Sequence, residues 1–208
     1  MRQLYSIFFF LLACLALNGQ DIKWNLDSFD MALRKVVCLQ NDEELIPVRD
    51  LASLEVGYRY FGRDAKNTFE ATLNKYMPVQ NLGEQSGRKT FSDTKKQRLL
   101  ICAVNADFFE GLKNDNRASM LEFLKDHSEA MPKILVVFGG NDLPHLERLK
   151  PIFEVIIYAS LETYWYQSIA AQAIFGGLSI EGELLVDLSE SFPKGTGVPI
   201  KELNRLGY

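Results

Sequence analysis

Val155-Ile156-Ile157-Tyr158-Ala159 is the run that decides the fold. It is followed by a helical stretch from about Thr163 to Phe175 and a double-glycine stop, Gly176-Gly177. Five consecutive apolar residues, rich in β-branched and aromatic side chains and too short for a helix, read as a strand buried on both faces. The chain then offers a short apolar run, Leu184-Leu185-Val186. It closes with the loop Phe192-Pro193-Lys194-Gly195-Thr196-Gly197-Val198 and the tail Arg205-Leu206-Gly207-Tyr208.

Working outward, two more runs read the same way: Leu99-Leu100-Ile101-Cys102-Ala103-Val104 and Ile134-Leu135-Val136-Val137-Phe138. Leu54 to Phe61 alternates, with Leu54, Val56, Tyr58 and Tyr60 against Glu55, Gly57 and Arg59, and Gly62 ends it. Between these strands lie Thr68 to Tyr76, Ser119 to Ser128 and Leu143 to Leu149, each with apolar residues at helical spacing. Met77 to Leu82 is a short strand weakened by Pro78, and Asn81 to Thr94 is a polar loop. Upstream, Leu26, Phe29, Leu33, Val36 and Val37 mark one face of a helix over Asn25 to Val37, capped by Asn25 or Asp27. Glu44 to Val48 follows as an extended entry segment. Strand–helix alternation of this kind predicts an α/β three-layer sandwich. Its sheet would be mostly parallel, with about five or six strands in a flavodoxin-like arrangement, and helices on both faces.

The 208 residues are 47% hydrophobic and 24% charged, ordinary for a globular chain. The charge balance, 23 Lys+Arg against 27 Asp+Glu, argues against a nucleic-acid partner, which calls for a basic field. The basic cluster at Arg88-Lys89 and Lys95-Lys96-Gln97-Arg98 reads as a solvated approach to a strand. Residues 1–19 resemble a secretory signal: Arg2, the unbroken apolar stretch Ile7 to Leu17, then cleavage after Gly19. The stretch is too short to span a bilayer. The alternative is a lipid anchor at Cys14 in Leu11-Leu12-Ala13-Cys14. Residues 20–208 would form the mature domain, periplasmic or extracellular. Cys38 and Cys102 sit in apolar runs and read as buried free thiols. No metal-binding spacing, no phosphate-loop pattern after Gly139-Gly140-Asn141 and no GxSxG elbow is present, so no cofactor and no metal is expected. His127 and His145 read as surface residues.

In a sheet of this kind ligands approach the carboxyl ends of the strands, near the switch in strand order. Asn105 and Asp107, Asn141 and Asp142, and Glu162 fall at those ends. Amides and carboxylates at one rim can bind sugar hydroxyls, and a carboxyl can serve as an acid. The same residue types also cap helices and shape turns. Tyr164-Trp165-Tyr166 reads first as core or interface, and as a sugar-stacking platform if its faces are open.

The run from Val155 to Val186 also resembles the C-terminal α/β sandwich domain of glycoside hydrolase family 3, in its bacterial β-N-acetylglucosaminidase-like branch. The resemblance is carried by Ile156-Ile157-Tyr158, by Ala171-Gln172-Ala173-Ile174-Phe175-Gly176, and by Gly182-Glu183-Leu184-Leu185-Val186. Gly195-Thr196-Gly197-Val198 and Arg205-Leu206-Gly207-Tyr208 add to it, as does the entry Leu39-Gln40-Asn41 through Val48. Leu185 stands where that family's edge strand has proline. The family's catalytic TIM barrel, a fold of roughly 200 residues or more, has no counterpart in this sequence, and its nucleophilic aspartate belongs to that barrel. The resemblance therefore implies no catalytic residue here. It implies an exported stand-alone domain that binds a carbohydrate or cell-wall fragment, or docks to a separate TIM-barrel glycosidase domain. The alternatives are one half of a split β-glycosidase and a structural remnant.

Overall fold

A computed structural model describes residues 28–62, 68–83, 97–106, 108, 115–126 and 131–208. In chain order these form helix α1 (28–35), β1 (Val36–Asn41), β2 (Leu54–Phe61), α2 (Thr68–Tyr76), β3 (Val79–Asn81) and β4 (Gln97–Asn105). There follow α3 (Asp115–Asp126), β5 (Lys133–Phe138), α4 (Leu146–Leu149), β6 (Val155–Ala159) and α5 (Tyr164–Ile174). The strands make one six-stranded sheet in the order β1-β6-β5-β4-β2-β3. Every neighbouring pair is parallel except β1 with β6. With β1 set aside, the parallel strands follow the flavodoxin-like order, the second strand lying outside the first.

The sheet is covered on both sides because its central strands are apolar through their middles, with polar residues confined to the ends of β4 and β5. Alternate residues face opposite ways, so each strand feeds two cores. On one face Val56, Tyr58, Ile101, Val136 and Ile157 pack against Phe69 and Leu73 of α2 and Ile169, Ala173 and Ile174 of α5. On the other, Leu100, Cys102, Leu135, Val137 and Ile156 meet Met120 and Leu124 of α3, Leu146 and Leu149 of α4, and Leu188 and Phe192 of the C-terminal segment. Burying one such Val, Leu, Ile or Phe side chain is worth about 1.5–3 kcal/mol, which makes this double coverage the main stabilising term. Cys38 and Cys102 are buried free thiols.

Two expectations are corrected. The helix expected to reach Val37 stops at residue 35, and Val36–Asn41 is an antiparallel edge strand. Val36 pairs with Ala159 and Val37 with Tyr158. Val36 and Cys38 enter one core while Val37 and Leu39 enter the other, a division that only an extended chain allows. The run at Leu184 is not a strand: Leu184 is buried, but Leu185 and Val186 are 67% and 47% exposed in a bend. The expected signal segment, the caps at Asn25 and Asp27, Arg88-Lys89, Lys95-Lys96, His127 and Asp107 lie outside the described residues.

Candidate functional site

The carboxyl ends of four parallel strands lie level with one another. Phe61 pairs with Val104, Asn105 with Phe138, and Phe138 with Ala159. The switch in strand order falls at β2, because the chain leaves it for β3 on one side and returns to β4 on the other.

Three side chains meet at this rim. Glu162, half-buried in the turn between β6 and α5, accepts a hydrogen bond from the Tyr60 hydroxyl at the end of β2. Its other carboxylate oxygen accepts from Asn105 Nδ2, at 3.3 Å. Asn105 is only 6% exposed, and its Oδ1 accepts the Phe108 N–H at 3.1 Å. The two bonds orient the Asn105 amide, since only its NH2 can donate toward Glu162. Gly62 follows β2 with φ +148, and a Cβ there would lie 2.7 Å from Asn105 Oδ1. The glycine both turns the chain and leaves room for the amide.

Behind the cluster sits Gln167 of α5, 3% exposed. Its Oε1 accepts the Phe69 N–H at 3.0 Å, in the first turn of α2, where helix amides have no partner of their own. Its Nε2 donates to the Glu162 carbonyl at 3.4 Å. The buried amide thus ties the start of α2 to the turn that carries Glu162.

Of the residues expected at the rim, the structure brings Asn105 and Glu162 together. Asn141 and Asp142 are exposed beyond β5, and among the described residues no hydrogen bond joins them to the cluster. Their loop is pinned by Tyr158, whose hydroxyl donates to the Gly140 carbonyl at 2.5 Å, and by the Gly139 N–H donating to Ala159 O at 2.8 Å. Burial, with Tyr166 adding to it, pushes the Tyr158 phenol up to about 12. The three aromatics at the start of α5 form no flat platform. Tyr166 is buried, and Trp165 stands edge-on to Phe29 at 5.3 Å and to Tyr164 at 4.8 Å; only Tyr164 is exposed.

Sequence reasoning passed over Tyr60 and Gln167. Tyr60 completes an alternating pattern and so reads as core; its signal was its place as the last polar-capable side chain before Gly62. Gln167 is a buried amide in a largely apolar helix, and burying such a group requires partners.

Chemically, the rim is a fixed acceptor. A carboxylate has about four lone-pair sites, and the two hydrogen bonds from Tyr60 and Asn105 use two of them. Among the described residues no group of three metal-ligating side chains is gathered, and no helix is long and apolar enough to cross a membrane. An open cleft of about 500 Å³ lies at the opposite pole, beside Gln40, Lys150 and Phe192.

No protein-family model matches the chain, and no curated protein matches it. Solved structures do. A fungal multi-domain GH3 β-N-acetylglucosaminidase with a GCN5-related glucosamine N-acetyltransferase region aligns at 13% identity and TM-score 0.59, over 78% of this chain and 19% of its own. The β-glucoside phosphorylase BglX bound to 2FGlc aligns at 13% identity and TM-score 0.52, over 74% of this chain and 30% of its own. A glycoside hydrolase family 3 β-N-acetylglucosaminidase from Paenibacillus sp. gives 13% identity and TM-score 0.51, over 74% and 30%. This chain therefore spans less than a third of each of these proteins. At such identities the likeness is one of fold, and in fold this chain is similar to the C-terminal sandwich domain of glycoside hydrolase family 3, as its sequence between Val155 and Val186 implied.

Proposed function

We propose that this chain is a carbohydrate-binding accessory domain whose ligand sits at the rim formed by Tyr60, Asn105 and Glu162. The observation that carries the reading is the Glu162 carboxylate, held between a hydroxyl and an amide at the switch in strand order. A carboxylate fixed in this way accepts hydrogen bonds from sugar hydroxyls without first having to be ordered, which lowers the cost of binding. Asn141 and Asp142, at the neighbouring strand end, would extend the surface for a longer saccharide. The mature chain would be exported behind residues 1–19, and the ligand would be a cell-wall fragment or a chitooligosaccharide.

The test is calorimetric titration of the purified chain with chitooligosaccharides and with muropeptides. Saturable binding that weakens about tenfold or more in Glu162→Gln supports the reading, since that is the scale of one charge-assisted hydrogen bond. No saturable binding of either ligand class by the wild type would overturn it.

A second reading follows from the chemistry of the cluster. Hydrolysis of a glycosidic bond by the usual route needs two carboxyl groups flanking the bond, and the hydrogen-bonded cluster holds one. The relatives in fold are far longer chains. In that reading a separate TIM-barrel domain supplies the catalytic carboxyl groups, and the rim around Glu162 lies against its substrate. Release of nitrophenol from aryl β-glycosides only after a barrel protein is added would favour it. Release by this chain alone would sink both readings.

A further inference from the structure

The C-terminal segment is bound to the body of the protein chiefly through main-chain groups. Arg205 lays its guanidinium over the end of α5, with Nη1 donating to Phe175 O and to Val48 O, each at 2.6 Å, and Nη2 donating to Arg49 O. The last carbonyls of a helix lack internal partners and carry the negative end of its dipole, so a cation belongs there. Three residues on, the side-chain amide of Gln172, fully buried in α5, grips the backbone of Tyr208. The Tyr208 N–H donates to Gln172 Oε1 at 2.6 Å, and Gln172 Nε2 donates to Tyr208 O at 2.7 Å. One side chain thereby pairs both main-chain groups of a residue as a neighbouring strand would.

The same segment also reaches α2. The Tyr76 hydroxyl, at the end of that helix, donates to Leu206 O at 2.9 Å. The Tyr76 ring lies 5.4 Å from Phe175 and 5.2 Å from Tyr208, and the Lys75 ammonium sits 5.1 Å from the Tyr208 ring centre. Gly177 makes this junction possible: a Cβ there would come 1.7 Å from the Tyr76 hydroxyl. Leu203 closes the near end, its N–H donating to Gly176 O at 2.8 Å.

We propose that residues 203–208 are a strap that fastens the end of α2 to the end of α5, and that its release loosens α2 while the sheet stays folded. The bonds are made by Leu203, Arg205, Leu206 and Tyr208, each to α2, to α5 and the two residues that follow it, or to the segment 48–49. None goes to a central strand. Opening the strap therefore removes contacts from the helical layer and the segment 48–49 and none from the central strands, the pattern of a local unfolding unit.

Native-state hydrogen exchange on the full chain tests this. In the wild type the Tyr208 amide exchanges at least about tenfold more slowly than an unstructured amide, the scale of one hydrogen bond. Arg205→Ala speeds exchange at Tyr208, at Leu203 and at Met77, whose N–H closes the last turn of α2 on Leu73 O, while amides of β5 keep their rates. Tyr76→Phe, which removes one hydroxyl, speeds Tyr208 and Met77 and leaves Val48 unchanged. The proposal is overturned if the wild-type Tyr208 amide is unprotected. It is equally overturned if Arg205→Ala leaves Met77 unaltered, or if that change speeds every amide, β5 included, by the same factor.

Discussion

Replacing Asn105 with aspartate puts the rim geometry to a quantitative test. The new carboxylate can still accept the Phe108 N–H, so the local turn is preserved. Its other oxygen, however, faces Glu162 across the 3.3 Å now spanned by a hydrogen bond. Two unit charges at that separation repel by roughly 5 kcal/mol at an effective dielectric of 20. Glu162 is half-buried and can swing outward, so the net loss at neutral pH is put at about 2–4 kcal/mol. Like-charge repulsion raises the pKa of the pair in the folded state above that of the unfolded chain. A carboxyl raised on folding destabilises at high pH, and the penalty is relieved as pH falls and the shared site takes up a proton. Urea unfolding at pH 7 and pH 4.5 reads this directly. The Asn105→Asp deficit relative to wild type should shrink at the lower pH. Asn105→Ala, which leaves the Phe108 amide unpaired and brings no charge, should show a similar deficit at both. A deficit for Asn105→Asp that is absent at pH 7, or equal at the two pH values, would mean that Asn105 and Glu162 are not neighbours in solution.

Two further outcomes follow from buried acids. Burial pushes the Cys38 thiol up to about 12, against the lowering effect of its bond to Gln40 O, and also pushes the Cys102 thiol up. Peptide mapping after iodoacetamide at pH 8 should therefore find neither residue labelled in the native chain and both labelled in guanidinium; native labelling at the rate of a free thiol would refute this. The phenols of Tyr76 and Tyr158 are raised to about 12, mainly by burial, whereas the unfolded chain ionises them near the usual value of about 10. Their contribution is complete below the unfolded value and is lost as pH rises from about 10 toward about 12. The urea midpoint should fall across that window, and less steeply in Tyr158→Phe; a flat midpoint up to pH 11.5 would contradict it.

Much of this architecture is legible in the sequence because the central strands leave little choice. Leu54–Phe61 and Val155–Ala159 coincide with β2 and β6, and Thr68–Tyr76 with α2. Val36–Leu39 failed to declare itself. Four apolar residues continuing a helical stripe fit either a last helical turn or a strand, and only pairing with Ala159 and Tyr158 decides. Leu184-Leu185-Val186 misled in the opposite way, since hydrophobicity there does not mean burial. For the rim, Asn105 and Glu162 lie at the sheet's carboxyl ends, where the strand–helix alternation of the sequence puts them. For Tyr60 and Gln167 the sequence hints at a buried polar group but names no partner. Their roles come from hydrogen bonds spanning 102 and 98 residues of chain.

The antiparallel strand β1 has a consequence for how copies of this protein meet one another. A sheet border normally offers a ladder of open amides and carbonyls to any passing strand. Here the segment after α5 runs along the outer side of β1. Val198 N–H donates to Cys38 O at 2.8 Å, and Gly182 passes so close that a Cβ would lie 2.8 Å from the carbonyls of Arg34 and Val36. At the far border β3 is only three residues long and is preceded by Pro78. The molecule thus carries a built-in guard against edge-to-edge strand pairing between its own copies.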